Sequence, residues 1–280
     1  LPTWIDPVGL RGYNRQTMDL RSPSPVERSG GGYFASMRRI VDADRTRESD
    51  AQLGMVLTFI AGAINAGGFL AVGQYTSHMS GIFSAMADNA ALGAFSLVGL
   101  GLGAFLPFIA GAACSAVLIN WGRRHHSGIQ YALPIMLEAL LLCLFGVIGA
   151  LFYPSPGLVL SAVPLLCFIM GLQNATVTKL SGARIRTTHV TGLVTDLGIE
   201  FGKLFFWNRS RDERYGSPVI ADRRKMRLLS LLLGSFFLGG IIGALGFSHL
   251  GFLFALPLAA LLFVIAVPTL ANAPGARERQ

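Results

Sequence analysis

LLSLLLGSFFLGGIIGALGFSHLGFLFALPLAALLFVIAVPTL, residues 228–270, contains no Asp, Glu, Lys or Arg. Crossing the hydrocarbon core takes about 20 consecutive apolar residues. The stretch therefore reads as two membrane spans, about Leu228 to Phe247 and Gly251 to Leu270, in a hairpin around Ser248-His249-Leu250.

Working back toward the N-terminus, the same criterion marks four more spans: about Leu53 to Gly73, Leu92 to Ile119, Ala132 to Phe152 and Leu158 to Val177. Tyr153-Pro154-Ser155-Pro156-Gly157 makes a tight turn between the last two. The expected fold is all-α, a polytopic membrane bundle of about six transmembrane helices. Composition agrees. Of the 280 residues 52% are hydrophobic and only 14% charged, too little polar surface for a soluble domain of this length.

The net charge of +8 is not spread along a structured face. It sits in residues 1–50, beside Arg123-Arg124, between residues 178 and 227, and at Arg277 and Arg279. The connections near 74–91, 153–157 and 248–250 carry no Lys or Arg. Charge that lies only between apolar spans follows membrane topology, so nucleic acid is not an expected partner. Six spans with both termini cytoplasmic satisfy the positive-inside rule at every loop. Residues 1–50, without apolar periodicity or a signal-type apolar region, read as a disordered Arg-rich cytoplasmic tail with a short helix over Tyr33 to Arg47. Cys114, Cys143 and Cys167 fall inside apolar runs at no metal or redox spacing and read as small core side chains.

Two polar interruptions match one another: Thr76-Ser77-His78-Met79-Ser80-Gly81 and Thr187-Thr188-His189-Val190-Thr191-Gly192. Each follows a span bearing an asparagine, Asn65 or Asn174, and precedes a short helix bearing an acid, Asp88 or Asp196. Each then leads to a span with a Gly-x-x-x-Gly step, Gly99/Gly103 and Gly239/Gly243, which would let helix backbones approach. The pattern divides the chain into two membrane repeats of three spans, residues 51–156 and 157–272, with a basic cytoplasmic loop at 207–227 and a cytoplasmic tail at 273–280. An odd number of crossings inverts the second repeat, with short broken or re-entrant helices at the two motifs, the architecture of many secondary transporters.

Asn65-Ala66-Gly67-Gly68-Phe69-Leu70, the first motif, Gly171-Leu172-Gln173-Asn174-Ala175 and above all the run from Ser181 to Gly198 resemble the YoaK family of bacterial membrane proteins. The resemblance covers about residues 53–270 and implies a multi-pass protein of the bacterial inner membrane with no assigned activity. This chain departs from the family at Asn65, where Asp is usual, and at Ser80-Gly81-Ile82, where Thr-Gly-Asn is usual.

A helix starting at each motif would turn free N–H groups and a positive helix end toward an anion or carboxylate. The candidate substrate-binding residues are Asn65, His78, Ser80, Gly81, Asn174, Thr188, His189, Thr191 and Gly192, with the glycines expected to let backbone approach the ligand. Asp88, Asp196 and Glu200 are candidates for proton or ion coupling. His189, Gly192, Asp196, Glu200 and Lys203 recur every three or four residues and share one helix face. The competing reading makes that face solvated, with an internal Glu–Lys pair. Glu138, inside the third span, is either functional or close enough to the span's end to reach the interface. His125-His126, beside two arginines, reads as a soluble cap to its span.

The sequence holds no phosphate loop, no nucleophile with a recognisable base and no pair of histidines at metal spacing. Neither an enzyme nor a cofactor is expected. The leading expectation is a secondary transporter of a small polar or anionic solute held near the midplane. The alternatives are a channel using the same breaks as a filter, and a membrane scaffold whose basic tail and loop bind lipid or a cytosolic partner. Homo-oligomerisation is left open.

Overall fold

The computed structural model describes residues 47–125, 129–153, 155–181, 187–206 and 219–271, all within one unit of the chain. The proposed helix over Tyr33 to Arg47, apart from Arg47 itself, and most of the 207–227 loop lie outside the described residues. The described chain is helical: α1 (Arg47–Val72), α2 (Met79–Ala91), α3 (Phe95–His125), α4 (Ala132–Phe152), α5 (Pro156–Leu180), α6 (Val190–Phe205), α7 (Arg223–Leu250), a 3₁₀ turn (Gly251–Phe254) and α8 (Ala255–Ala271).

Among the described residues five runs are long and apolar enough to cross a membrane. The last extends from Arg223 to Ala271 and is folded in two at Gly251, whose φ of 57° suits a residue without Cβ. Its halves pack on different partners, α7 on α1 and α8 on α4. The chain is thus a multi-pass membrane protein with six crossings, and lipid-sized apolar side chains such as Leu106, Ile109, Leu144, Phe237 and Leu245 are exposed on its outside. That is the arrangement expected when the surrounding solvent is hydrocarbon.

Two boundaries differ from the sequence reading. Ser248-His249-Leu250 belong to the last turn of α7, and the hairpin turns at Gly251. Arg223 to Arg227 are helical, because Asp222 caps α7 by accepting from the N–H groups of Arg224 at 2.9 Å and Lys225 at 3.0 Å.

The bundle is organised by two parallel helix pairs. On α1 and α7 the contacts advance in step: Ser235 Oγ donates to the Met55 carbonyl at 2.8 Å, Gly239 lies on the Phe59 carbonyl, Gly243 on Ala63, and Gly67 on the Phe247 ring. On α3 and α5, Gly111 lies on the Phe168 carbonyl, Gly171 on the Phe108 carbonyl, and the Ser115 and Thr176 hydroxyls share a bond of 2.8 Å. At Gly62, Gly111, Gly171 and Gly239 an added Cβ would run into the facing helix's backbone, so only glycine permits these separations. The expected step at Gly99/Gly103 is corrected here. A Cβ at either position would meet nothing within 4 Å, and the glycine on α3 that matches Gly239 is Gly111.

Candidate functional site

Helices α2 and α6, of 13 and 16 residues, are too short to cross. Each begins where the chain re-enters the bundle after a polar interruption, and its start is held by the asparagine of the preceding span. Asn65 Oδ1 accepts from Ser77 Oγ at 2.9 Å and from its N–H at 3.4 Å. Asn174 Oδ1 accepts from Thr188 Oγ1 at 2.9 Å and from Thr187 Oγ1 at 3.3 Å. Ser77 and Thr188 occupy the same place in their motifs, so one device anchors both helices.

His78 and His189 are the N-caps, neither bonded through its side chain to the helix it starts. The first-turn N–H groups therefore have no side-chain cap, and no partner inside the helix is available to them. Each imidazole folds over the glycine three residues on, His78 over Gly81 and His189 over Gly192, so closely that a Cβ there would overlap the ring. The two glycines thus seat the histidine rings, and neither is among the residues lining the space between the motifs.

That space is a single cavity of about 1150 Å³ between the two motifs, lined among others by Asn65, His78, Ser80, Asn174, Thr188, His189 and Thr191. All the predicted substrate-binding residues except the two glycines thus border it. The sequence reading missed Lys179, Ser77, Thr178, Phe108 and Phe236. Lys179 could have been found as the one cation near the end of the fourth span. Among the described residues no Asp or Glu lines the cavity, whereas one lysine, two histidines and several hydroxyls do.

The predicted coupling acids lie elsewhere. Asp88 is exposed near the end of α2. Glu200, buried, is clamped at the start of α7: Lys203 Nζ lies 2.9 Å from its Oε1, the Asp222 N–H donates to Oε2 at 2.9 Å, and Lys225 Nζ is 3.7 Å away. Lys225 also sits 3.5 Å from Asp196. The charged stripe of α6 is therefore neither a cavity wall nor a freely solvated face. It fastens α6 to α7. On α2 the corresponding positions, Ala85 and Asn89, carry no charge, Asn89 Nδ2 donating to the Ala85 carbonyl at 2.8 Å, and the helix packs through a different face, Met79, Ile82 and Met86.

Lys203 first, and then the Asp222 N–H, hold the Glu200 carboxyl below its ordinary range. A depressed carboxylate stabilises the fold above its unfolded value, about 4.3, and that contribution is lost as pH falls through the folded value. Glu200→Gln is therefore expected to lower the thermal midpoint at neutral pH, with the difference from wild type closing below about pH 4. A difference that is the same at all pH values would show that the clamp is not ionic.

His125, on the last turn of α3, bonds the Trp121 carbonyl through Nδ1 at 3.0 Å, while His126 lies outside the described residues. Glu138 does not reach an interface; it is fully buried.

A family model described as "Protein of unknown function (DUF1275)" matches residues 53–268. It covers the same stretch as the resemblance to the YoaK family, a DUF1275 family of membrane proteins. No curated protein and no solved structure matches the chain.

Proposed function

Since the chain belongs to the DUF1275 family of membrane proteins, which carries no assigned activity, we propose from the site alone that it is a secondary transporter of a small anionic solute. The observation that carries this reading is the shared cavity: two helix breaks more than a hundred residues apart in sequence line one space. The two halves are then inverted repeats. In support, the Gly62–Phe236 and Gly239–Phe59 contacts recur as Gly171–Phe108 and Gly111–Phe168, and the Asn65–Ser77 bond recurs as Asn174–Thr188. Broken helices at the interface of such repeats are where transporters of this architecture hold their solute.

The preference for an anion follows from the lining. Two helix starts without a side-chain cap contribute positive partial charge, Lys179 contributes a full one, and among the described residues no carboxylate lining the cavity opposes them. The charge of the loops supports placing both termini on the cytoplasmic side.

The test is uptake of small carboxylates and oxyanions into proteoliposomes. Saturable uptake is expected for at least one, with Lys179→Ala raising KM by about tenfold, the loss of one favourable charge contact of roughly 1.4 kcal/mol. Flux that never saturates would favour a channel. Absence of any flux, with no anion raising the thermal midpoint, would favour a scaffold.

A further inference from the structure

Glu138 on α4 and Gln173 on α5 are both fully buried. Gln173 Nε2 donates to Glu138 Oε1 at 2.8 Å and to the Leu57 carbonyl of α1 at 3.2 Å, which uses both amide hydrogens. Left over are Glu138 Oε2 and Gln173 Oε1, two oxygens of the same bonded pair, neither with a donor among the described residues. An ionised carboxylate can only accept, so in that form neither oxygen gains a donor from the residues around it. One proton on Oε2 removes the mismatch. A carboxylic acid and a carboxamide are complementary and close a two-bond ring, Nε2–H to Oε1 and Oε2–H to the amide oxygen.

Among the described residues no neighbouring charge competes for that role. Helix α8, which packs against α4 most extensively, and the 3₁₀ turn carry no ionisable side chain. On α5 the titratable side chains are Cys167, buried against Ile82 and Ala104, and Lys179, exposed at the helix end. On α3 they are Cys114 and the exposed Arg123, Arg124 and His125. Helix α1 has charged residues only at Arg47, Glu48 and Asp50, in its first turn. On α4 itself there is only Cys143, and Tyr131 just before it bonds the Lys179 carbonyl at 3.4 Å. Among the described residues no cation pairs with Glu138. An isolated carboxylate at such a place costs several kcal/mol.

We propose that Glu138 and Gln173 form a proton-binding site of the bundle, loaded in the arrangement seen here. Release breaks the Oε2–H bond, passes the proton to water and leaves the carboxylate; loading is the reverse. Gln173 immediately precedes Asn174, whose Oδ1 holds α6 at the cavity, so the proton site and the anchor of the second helix break share one turn of α5. As a coupling site this deepens the transporter reading and rests on it; as a proton site it stands alone.

The first measurement is infrared spectroscopy of the full-length protein at neutral pH, unlabelled and with ¹³C-carboxyl glutamate. A protonated-acid carbonyl band that shifts with the label and with D₂O is expected, because glutamates in contact with water are ionised there. Its absence from wild type overturns the proposal whatever any variant does. Glu138→Gln is expected to fold, since two carboxamides make the same ring, and to lack the band. A band that persists in that variant also overturns the proposal. In proteoliposomes, the variant should exchange solute yet lose accumulation driven by a pH gradient. Retained accumulation removes the coupling role. If wild type moves no solute at all while the band is present, the transporter reading fails and the proton site remains.

Discussion

Gly239→Val is expected to abolish assembly of the folded protein, while Gly103→Val is expected to leave it nearly unchanged. At Gly239 the first atom of any side chain would enter the carbonyl of Phe59. Nothing flexible can yield there, because the obstacle is the backbone of α1. The two helices would have to separate, and with them the matched contacts at Met55–Ser235 and Ala63–Gly243. Overpacking usually costs about 1–3 kcal/mol when side chains can shift. Prying apart a helix pair exceeds that and consumes a large part of a typical stability of about 5–15 kcal/mol. Gly111→Val should behave like Gly239→Val, since its Cβ would meet the Phe168 carbonyl. Gly103 faces open space. The check is the yield of monodisperse protein on size exclusion in detergent, with the thermal midpoint of whatever is recovered. Equal behaviour of Gly103→Val and Gly239→Val would mean that the helix pairs are not held as described.

That pair of glycines also shows what the sequence could and could not disclose. The spans were legible because about 20 uncharged residues in a row have few other uses, and the two motifs because hydroxyls, histidine and glycine recurred in one order. Partnership between helices was not legible. Gly99 and Gly103 have the same spacing as Gly239 and Gly243, but their helix face points away from α5, and spacing alone carries no information about which face meets a neighbour. The acids of α6 misled for a related reason. A stripe of charge on an apolar helix needs partners; the Glu200–Lys203 pair within the helix was foreseen, but the other partners of Glu200 come from Asp222 and Lys225, in a segment read as loop. Lys179 escaped notice because a cation ending a span looks like topology, and only the fold brings it beside the two histidines. Gln173 stood in plain sight next to Asn174, but its value comes from Glu138, 35 positions away.

The largest functional effect is expected at the asparagines. Asn174→Ala removes the acceptor that holds Thr188 and Thr187, and Asn65→Ala does the same for Ser77. Each bond is worth only about 0.5–1.5 kcal/mol to stability, so both proteins should fold with modestly lower midpoints. Transport should fall far more, by about a hundredfold or greater, because misplacing a helix start by about an ångström displaces every donor it offers to the solute. Asn65→Asp separates the anchor from the charge. Aspartate, the residue usual in the family this chain resembles, still accepts from the Ser77 hydroxyl and N–H, and charge-assisted bonds of that kind are about twice as strong as neutral ones. The helix start should stay in place and the midpoint should hold or rise. However, the new carboxylate borders a cavity that otherwise carries no negative side chain, and a like charge within reach of the solute should weaken anion binding by about tenfold or more. Thermal midpoints and uptake kinetics measured together decide the matter. If Asn65→Asp is as stable as wild type and binds anions as well, the cavity does not select for negative charge. If it is as damaged as Asn65→Ala, the asparagine serves through its amide hydrogens, and the acceptor role assigned to Oδ1 at this end of the site is wrong.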